Sequence, residues 1–185
     1  IDFVSKYGFD GLLVEGWNTG WDENWCCTGD GEEFDFYHPH PDFNDVEVAK
    51  YAKEKGIRIV GHHETGTQIR NYESQLDSAF AYCKRNGIRV VKTGYVNDGS
   101  QNIKRIDDDG TIHKEWHHGQ YMVEHFRKVL ETAAKYNVGI VVHEPIKDTG
   151  LRRTYPNMLS REGARGQEFN GFMPKDWNNK PNHTT

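Results

Sequence analysis

The sequence predicts an α/β fold, an incomplete (β/α)8 barrel of the TIM type. Helical stretches alternate with short β-branched runs at spacings of roughly 30 to 50 residues, which is typical of βα units around a parallel sheet. Polar residues follow every apolar run, and strand ends that converge on one face are how a barrel builds its site. The alternative is an open, doubly wound sheet. It is disfavoured as a dinucleotide-binding fold because no glycine-rich phosphate loop follows the first strand.

The elements follow in a regular order. Residues Ile1 to Tyr7 resemble the last turns of a helix. Each apolar run begins at a Gly or Asn that suits a left-handed helix cap, and its composition suits a buried strand. The four runs are Gly8 to Glu15, Gly56 to Glu64, Gly87 to Gly94 and Asn137 to Pro145. Amphipathic spacing predicts helices over Asp45 to Lys55, around Leu76, Ala79, Phe80 and Cys83, and along Met122, Phe126, Val129, Leu130 and Ala133. A fifth strand is predicted near Gly166 to Phe169.

Two connecting segments are long and polar. The segment from Trp17 to Phe43 is rich in aromatic residues, so it is either an insertion that packs on itself or a wall of a substrate cleft. The segment from Asn97 to Gly119 contains Asp107-Asp108-Asp109-Gly110, which favours a solvated turn because the spacing of an EF-hand is absent. Cys26 and Cys27 have no metal-type spacing, and Cys83 is predicted to lie in the core.

Composition excludes several classes of protein. Lys and Arg number 23 against 28 Asp and Glu, a net charge of −5, and no basic block is present, so nucleic acid is not an expected partner. No apolar run approaches the roughly 20 residues that span a bilayer, so no membrane span is predicted. Ten His and 12% aromatic residues gather around carboxylates. That mixture suits a polar ligand with flat apolar faces, such as a sugar.

Carboxylates and histidines at the strand ends can carry chemistry. Glu15, His62-His63-Glu64, Lys92 and His143-Glu144 each end an apolar run, and Glu162 and Glu168 follow on either side of Arg165. Taken singly, a buried Glu64 could be ion-paired and Lys92 could reach solvent. Clustered carboxylates repel one another, so a site that holds them needs a cation, shared protons or both. Calcium fits that chemistry first. A zinc or iron hydrolase stays open, although the helical His-Glu-x-x-His spacing is absent.

Six ordered motifs resemble the catalytic barrel of glycoside hydrolase family 97. They are Val14-Glu15-Gly16-Trp17-Asn18, His62-His63-Glu64-Thr65, Lys92-Thr93-Gly94-Tyr95, Val142-His143-Glu144-Pro145, Arg153-Thr154-Tyr155-Pro156-Asn157 and Glu162-Gly163-Ala164-Arg165-Gly166-Gln167-Glu168. The family comprises multidomain α-glucosidases and α-galactosidases of bacterial polysaccharide-utilisation systems. The resemblance implies that residues 1–185 form a partial catalytic barrel without its first strand and terminal units. It also implies that the N-terminal β-sandwich and C-terminal domains of the parent protein are absent. The segment does not define a compartment, and the family implies a periplasmic or exported bacterial protein.

The resemblance also assigns roles to residues. Glu168 would be the general acid, and Glu64 with Glu144 would assist the attack of water. Glu144, Glu162 and Glu168 would bind Ca²⁺. The expected contacts to an α-glucoside oligosaccharide are His62, His63, His143, Lys92, Glu15 and Trp17.

Retaining members of the family place an Asp nucleophile near the end of the fourth strand, where this sequence has Gly94. The implied function is therefore a calcium-dependent glycosidase that cleaves terminal α-glucosidic bonds with inversion. An α-galactosidase on the same scaffold, a hydrolase of another bond and an inactive truncated fragment are the alternatives.

Overall fold

The computed structural model describes residues 1–21, 34–96 and 103–163. Its helices are α1 (Asp2–Lys6), α2 (Asp45–Glu54), α3 (Ile69–Arg85) and α4 (Gln120–Lys135), with a 3₁₀ turn over Leu151–Arg153. Its strands are β1 (Gly11–Leu13), β2 (Arg58–Glu64), β3 (Val90–Gly94), β4 (Ile103–Ile106), β5 (Ile112–Glu115), β6 (Gly139–His143) and β7 (Met158–Glu162).

Five strands form one parallel sheet in the order β1-β2-β3-β6-β7. The predicted mixed α/β fold with a parallel sheet is confirmed. Within the described part of the chain the strands follow one another in chain order, without the reversal that defines a doubly wound sheet. Closure into a barrel stays a prediction. The predicted strand near Gly166 to Phe169 lies outside the described residues, and the fifth strand observed is β7, which comes earlier.

Left-handed residues end the helices as predicted. Gly8, Gly56 and Gly87 have φ of 74°, 71° and 72°, and Asn137 has φ of 58°. A residue with a β-carbon adopts this conformation at a cost, which is why Gly and Asn occupy these positions. Each cap turns the chain sharply from a helix into the next strand.

Helices α3 and α4 form the core together with one face of the sheet. The apolar stripe of α4 is buried as predicted, and the buried face of α3 extends the predicted set by including Ile69 and Tyr72. Cys83 is fully buried. Asn44 caps the start of helix α2, and its side chain accepts a hydrogen bond from the amide of Glu47. No described helix has the length and apolar character needed to cross a bilayer.

A short antiparallel hairpin, β4 and β5, lies within the segment predicted as a loop. Its turn is the Asp107 to Gly110 sequence, with Gly110 at φ of 85° and the amide of Asp107 bonded to the carbonyl of Thr111. The turn prediction is confirmed there. The strands themselves carry charged residues, Arg105 and Glu115, that pair across the hairpin. Alternation of this kind gives only a weak strand signal in the sequence.

Candidate active site

Register divides the strand residues between two faces of the sheet. Residues paired across parallel strands project to the same face, and His63 pairs with Thr93, which pairs with Val142. This face packs on α3, because the His63 ring contacts Tyr72 and Phe80. His62 pairs with Lys92 on the opposite face, where Glu64 also lies. The carboxyl ends of the strands therefore present acids and bases on the face away from α3.

A chain of charged contacts runs across these strand ends. The Lys92 ammonium lies 3.2 Å from Oε1 of Glu15 and 3.2 Å from Oε2 of Glu162. The His143 ring joins Glu162 to Glu144, at 3.4 Å from Oε1 of Glu162 and 3.2 Å from Oε1 of Glu144. Although burial opposes charging of Lys92, the two carboxylates raise its pKa, so it is an ammonium. Acids and bases thus alternate along one polar strip.

Glu64 lies opposite Gly94 at the ends of β2 and β3. Its Oε1 accepts hydrogen bonds from the amides of Gly66 and Val96 at 2.8 and 2.9 Å. A β-carbon built at position 94 would lie 2.0 Å from Oε2 of Glu64, far inside contact distance. The carboxylate of Glu64 therefore occupies the space that a side chain at position 94 would need.

Burial governs the protonation of Glu64. Desolvation raises the pKa of Glu64 to about 7. The hydrogen bonds from the two amides oppose this increase, and the negative charge of Glu144 adds to it. A carboxyl group with a pKa near 7 exchanges a proton readily at neutral pH. Glu64 has the property that a general base or acid needs.

Glu144 has a strained backbone that several contacts hold. Its φ is 44°, which is uncommon for a residue with a β-carbon. Its Oε2 accepts a hydrogen bond from the amide of Tyr95 at 2.8 Å. The Nε2 of His117, just beyond β5, donates to its backbone carbonyl at 2.6 Å. Strain at such a residue is typical of a functional position.

His62 lies in the polar strip, and Trp21 lies beside it. Oε1 of Glu15 is 3.9 Å from Nε2 of His62, and the ring centroids of His62 and Trp21 are 5.6 Å apart. Burial lowers the pKa of His62 to about 4, so its ring is neutral. Trp21 also lies over Gly16, since a β-carbon there would be 3.8 Å from its ring. In the sequence, Trp21 is one of several aromatic residues in the segment from Trp17 to Phe43, and nothing there singles it out.

His63 and Trp17 are placed in the core. His63 is fully buried, its Nδ1 bonds the Tyr72 hydroxyl at 2.9 Å, and burial lowers its pKa to about 3. Trp17 stacks on Tyr82 and donates from its indole nitrogen to the carbonyl of His62. The sugar contacts predicted for these two residues find no support in this geometry and stay predictions.

Glu168, the predicted acid, lies outside the described residues, as do Cys26 and Cys27. Across the described ranges, no group of three or more His, Cys, Asp or Glu side chains is arranged to hold a metal ion. Glu144 and Glu162 are nevertheless brought together, because both contact His143.

A parallel sheet with acids and bases at its carboxyl edge is typical of the sites of α/β enzymes. Comparison with known proteins identifies the family. The model of glycoside hydrolase family 97 matches residues 1–164. A family 97 enzyme from Pseudoalteromonas sp. strain K8 in complex with acarbose is 53% identical, with a TM-score of 0.86 over 92% of this chain and 25% of that chain. A variant from the same strain in complex with panose gives the same values.

More distant curated relatives carry a different name. The retaining alpha-galactosidase of Bacteroides thetaiotaomicron is 22% identical over 171 residues, which are 91% of this chain and 20% of that protein. The probable retaining alpha-galactosidase of Streptomyces bingchenggensis is also 22% identical. This chain belongs to glycoside hydrolase family 97. It spans about a quarter of the length of the solved enzymes and about a fifth of the curated relatives.

Proposed function

We propose that this chain is the catalytic region of a larger α-glucosidase that cleaves terminal α-glucosidic bonds with inversion and depends on calcium. The proposal includes closure of the sheet into a (β/α)8 barrel by further strands of the whole protein. The strand order supports this closure, because the described strands run in chain order with the acids at one end.

The observation that carries the proposal is the contact between Gly94 and Glu64. Most retaining glycosidases use a carboxylate nucleophile, and the family resemblance implies that the retaining branch has its Asp at the position of Gly94. A β-carbon at position 94 would lie 2.0 Å from Oε2 of Glu64 and 2.9 Å from Cδ. An Asp at position 94 and Glu64 in its present place exclude each other. Glu64 is instead suited to act as the base that activates a water molecule, and an inverting mechanism requires such a base.

The chain's own residues supply the proton transfers. Glu64 and Glu144, as the base pair, accept the proton of a water molecule whose oxygen bonds to the anomeric carbon. Glu168 gives its proton to the glycosidic oxygen as the bond from that oxygen to the anomeric carbon breaks. One proton is taken and one is given, and the released sugar has the opposite anomeric configuration. Lys92, His62, His143 and Glu15 line the polar strip where sugar hydroxyls would bind.

The donor chemistry of this strip fits calcium. Glu144 and Glu162 end neighbouring strands, and carboxylate oxygens are the ligands that calcium prefers. We propose Glu144, Glu162 and Glu168 as the protein ligands. Calcium bound there would offset the mutual repulsion of these carboxylates.

The substrate class is supported by the similar enzymes. The Pseudoalteromonas structures hold acarbose and panose. Panose is a trisaccharide of α-linked glucose, and acarbose resembles such a chain. The second candidate is an α-galactosidase, favoured by the names of the relatives that are 22% identical. We favour the glucoside because those structures are 53% identical.

Paired nitrophenyl α-glucoside and α-galactoside test the substrate class. The full-length protein is assayed on both, before and after calcium is chelated. We expect faster turnover of the glucoside, which falls on chelation and returns with calcium. Glu64→Gln should lose at least about 100-fold in kcat. Glu131→Gln is the matched control, because Glu131 is an exposed residue of α4 that accepts a hydrogen bond from the Tyr155 hydroxyl, and its replacement should leave kcat unchanged. Faster turnover of the galactoside would contradict the proposal.

A further inference from the structure

We propose that Tyr95 is a positioning residue for Glu64 and Glu144, held in place by a buried relay of Glu73, His125 and Tyr95. The relay joins helices α3 and α4 to the end of β3. The inference rests on the proposed function, since it concerns the two carboxylates assigned there as the base pair. It adds residues that lie behind the site and touch no substrate.

The relay is a continuous set of hydrogen bonds. The Tyr95 hydroxyl lies 2.9 Å from Nε2 of His125, and Nδ1 of His125 lies 2.8 Å from Oε1 of Glu73. The second oxygen of Glu73 accepts from the Lys128 ammonium at 2.5 Å. Tyr95 is 0% exposed and His125 is 1% exposed. A polar group buried this deeply costs free energy if it loses a hydrogen-bond partner, so the relay tolerates little rearrangement.

The protonation states give each bond one direction. Burial opposes charging of Glu73, but the hydrogen bonds from His125 and Lys128 lower its pKa, so it is a carboxylate. Burial lowers the pKa of His125, so its ring is neutral. Nδ1 of His125 therefore donates to Glu73, and Nε2 accepts from the Tyr95 hydroxyl. The phenol of Tyr95 is fixed in direction as well as in place.

The backbone of Tyr95 transmits this order to the site. The amide of Tyr95 donates to Oε2 of Glu144 at 2.8 Å, and the next amide, that of Val96, donates to Oε1 of Glu64 at 2.9 Å. Two consecutive amides thus hold both carboxylates. A tilt of this short segment would displace both groups together. Reactions of this kind are sensitive to misplacement of about 1 Å, which can lower the rate by about 100-fold.

A purely structural role is the competing explanation, because the relay also ties α3 to α4. The chain provides a matched pair of residues for this comparison. The Tyr136 hydroxyl donates to Oδ1 of Asp77 at 3.0 Å and so joins the end of α4 to α3, near the same seam. Among the described residues, the Tyr136 hydroxyl bonds to Asp77 and not to Glu64 or Glu144. Tyr136→Phe therefore removes a tyrosine hydroxyl bond between the same two helices, at a position more exposed than that of Tyr95, without touching the site.

Steady-state kinetics on a nitrophenyl α-glucoside form the first test, with the full-length protein. Tyr95→Phe should lower kcat by about 10- to 100-fold and leave KM within about twofold, because positioning affects the reaction more than binding. Tyr136→Phe should leave both constants unchanged. Glu73→Gln, which keeps an acceptor for His125 but loses the charge, should lower kcat by a smaller factor and serves if Tyr95→Phe does not fold. Unchanged kcat in the relay variants, or equal losses in Tyr136→Phe, would overturn the inference.

Crystal structures of the wild type and Tyr95→Phe form a second test that needs no turnover. We expect at least one of the two amide-to-carboxylate distances, 2.8 Å to Glu144 and 2.9 Å to Glu64, to exceed about 3.2 Å in the variant. Unchanged distances would overturn the inference. A wild-type protein that fails to cleave the glucoside would contradict the proposed function, and the structural comparison would still decide the role of Tyr95.

Discussion

At the scale of single residues, the space around Gly94 has a direct effect on the candidate site. The residue is glycine because Glu64 fills the volume beside it, and not because of an unusual φ. A β-carbon there must displace the carboxylate from the amides of Gly66 and Val96.

The substitution Gly94→Ala tests this volume. We expect kcat to fall by at least about 100-fold, because the added methyl group moves Glu64. The control is Gly61→Ala on β2, where the atoms nearest to a β-carbon would be the side-chain methyls of Ile88 and Val91, both at 3.3 Å, followed by the carbonyl oxygen of Val90 at 3.9 Å. That control should lower the melting temperature and leave kcat close to the wild-type value. Activity of Gly94→Ala close to that of the wild type would mean that Glu64 is free to move without consequence.

The raised pKa of Glu64 predicts a specific effect of pH on stability. The folded state, with a pKa of about 7, holds the proton more tightly than the unfolded state, with a pKa near 4.5. The free energy of unfolding should therefore fall as pH rises from about 4.5 to about 7. Glu64→Gln keeps an acceptor for the amides and removes the buried charge. We expect it to be more stable than the wild type above pH 7, by roughly 3 kcal/mol at most, and equally stable below pH 4.

Urea unfolding of the calcium-free protein at several pH values measures this effect. Glu73→Gln provides a control of opposite sign, because the hydrogen bonds to Glu73 outweigh its burial and lower its pKa. The wild type should lose that contribution as pH falls, so Glu73→Gln should be less stable than the wild type at neutral pH. A stability difference for Glu64→Gln that does not change with pH would contradict the assigned pKa.

Several site residues could be predicted from the sequence, and others could not. Alternation along β2 requires His62 and Glu64 to share a face, and the register confirms that Lys92 joins them. Alternation also sends His63 to the other face, but the sequence did not show that α3 covers it. Tyr95 contributes its amide to the site, and a backbone donor carries no signal in a side-chain pattern.

At the scale of elements, helices α2, α3 and α4 follow their apolar spacing closely. The sequence does not predict strand β7, because all five of its residues are exposed or half-buried and its apolar residues are outnumbered by polar ones. The pattern that predicts a buried strand is a continuous apolar run, which β7 lacks. The hairpin of β4 and β5 was missed for the same reason.

The start of α2 provides a test at this scale. The side-chain oxygen of Asn44 accepts from the backbone amide of Glu47, and its side-chain nitrogen Nδ2 donates to Oε2 of Glu47 at 3.3 Å. Asn44→Ala should lower the free energy of unfolding by about 1 kcal/mol and leave kcat unchanged, while Asn44→Asp should keep most of the stability. Denaturant titration of the full-length protein measures both. Equal stability of all three proteins would show that the cap contributes nothing.

At the scale of the whole molecule, the two edge strands of the described sheet are β1 and β7. Large apolar side chains are exposed close to them, including Phe9 at 57% and Leu159 at 53%. Exposed edges and apolar surface favour association between chains. We expect the 185 residues expressed alone to self-associate and to unfold without a sharp transition, as size-exclusion chromatography and calorimetry would report. A stable monomer with cooperative unfolding would contradict this expectation.

The central claim is that Glu64, beside Gly94, serves with Glu144 as the base in an inverting hydrolysis. Proton NMR of the anomeric region during cleavage of an α-glucoside by the full-length protein tests it most directly. We expect the β-anomer of the released sugar to appear first, with calcium present, and its release to be lost on chelation. Initial appearance of the α-anomer would contradict the claim and would require a nucleophile elsewhere in the site.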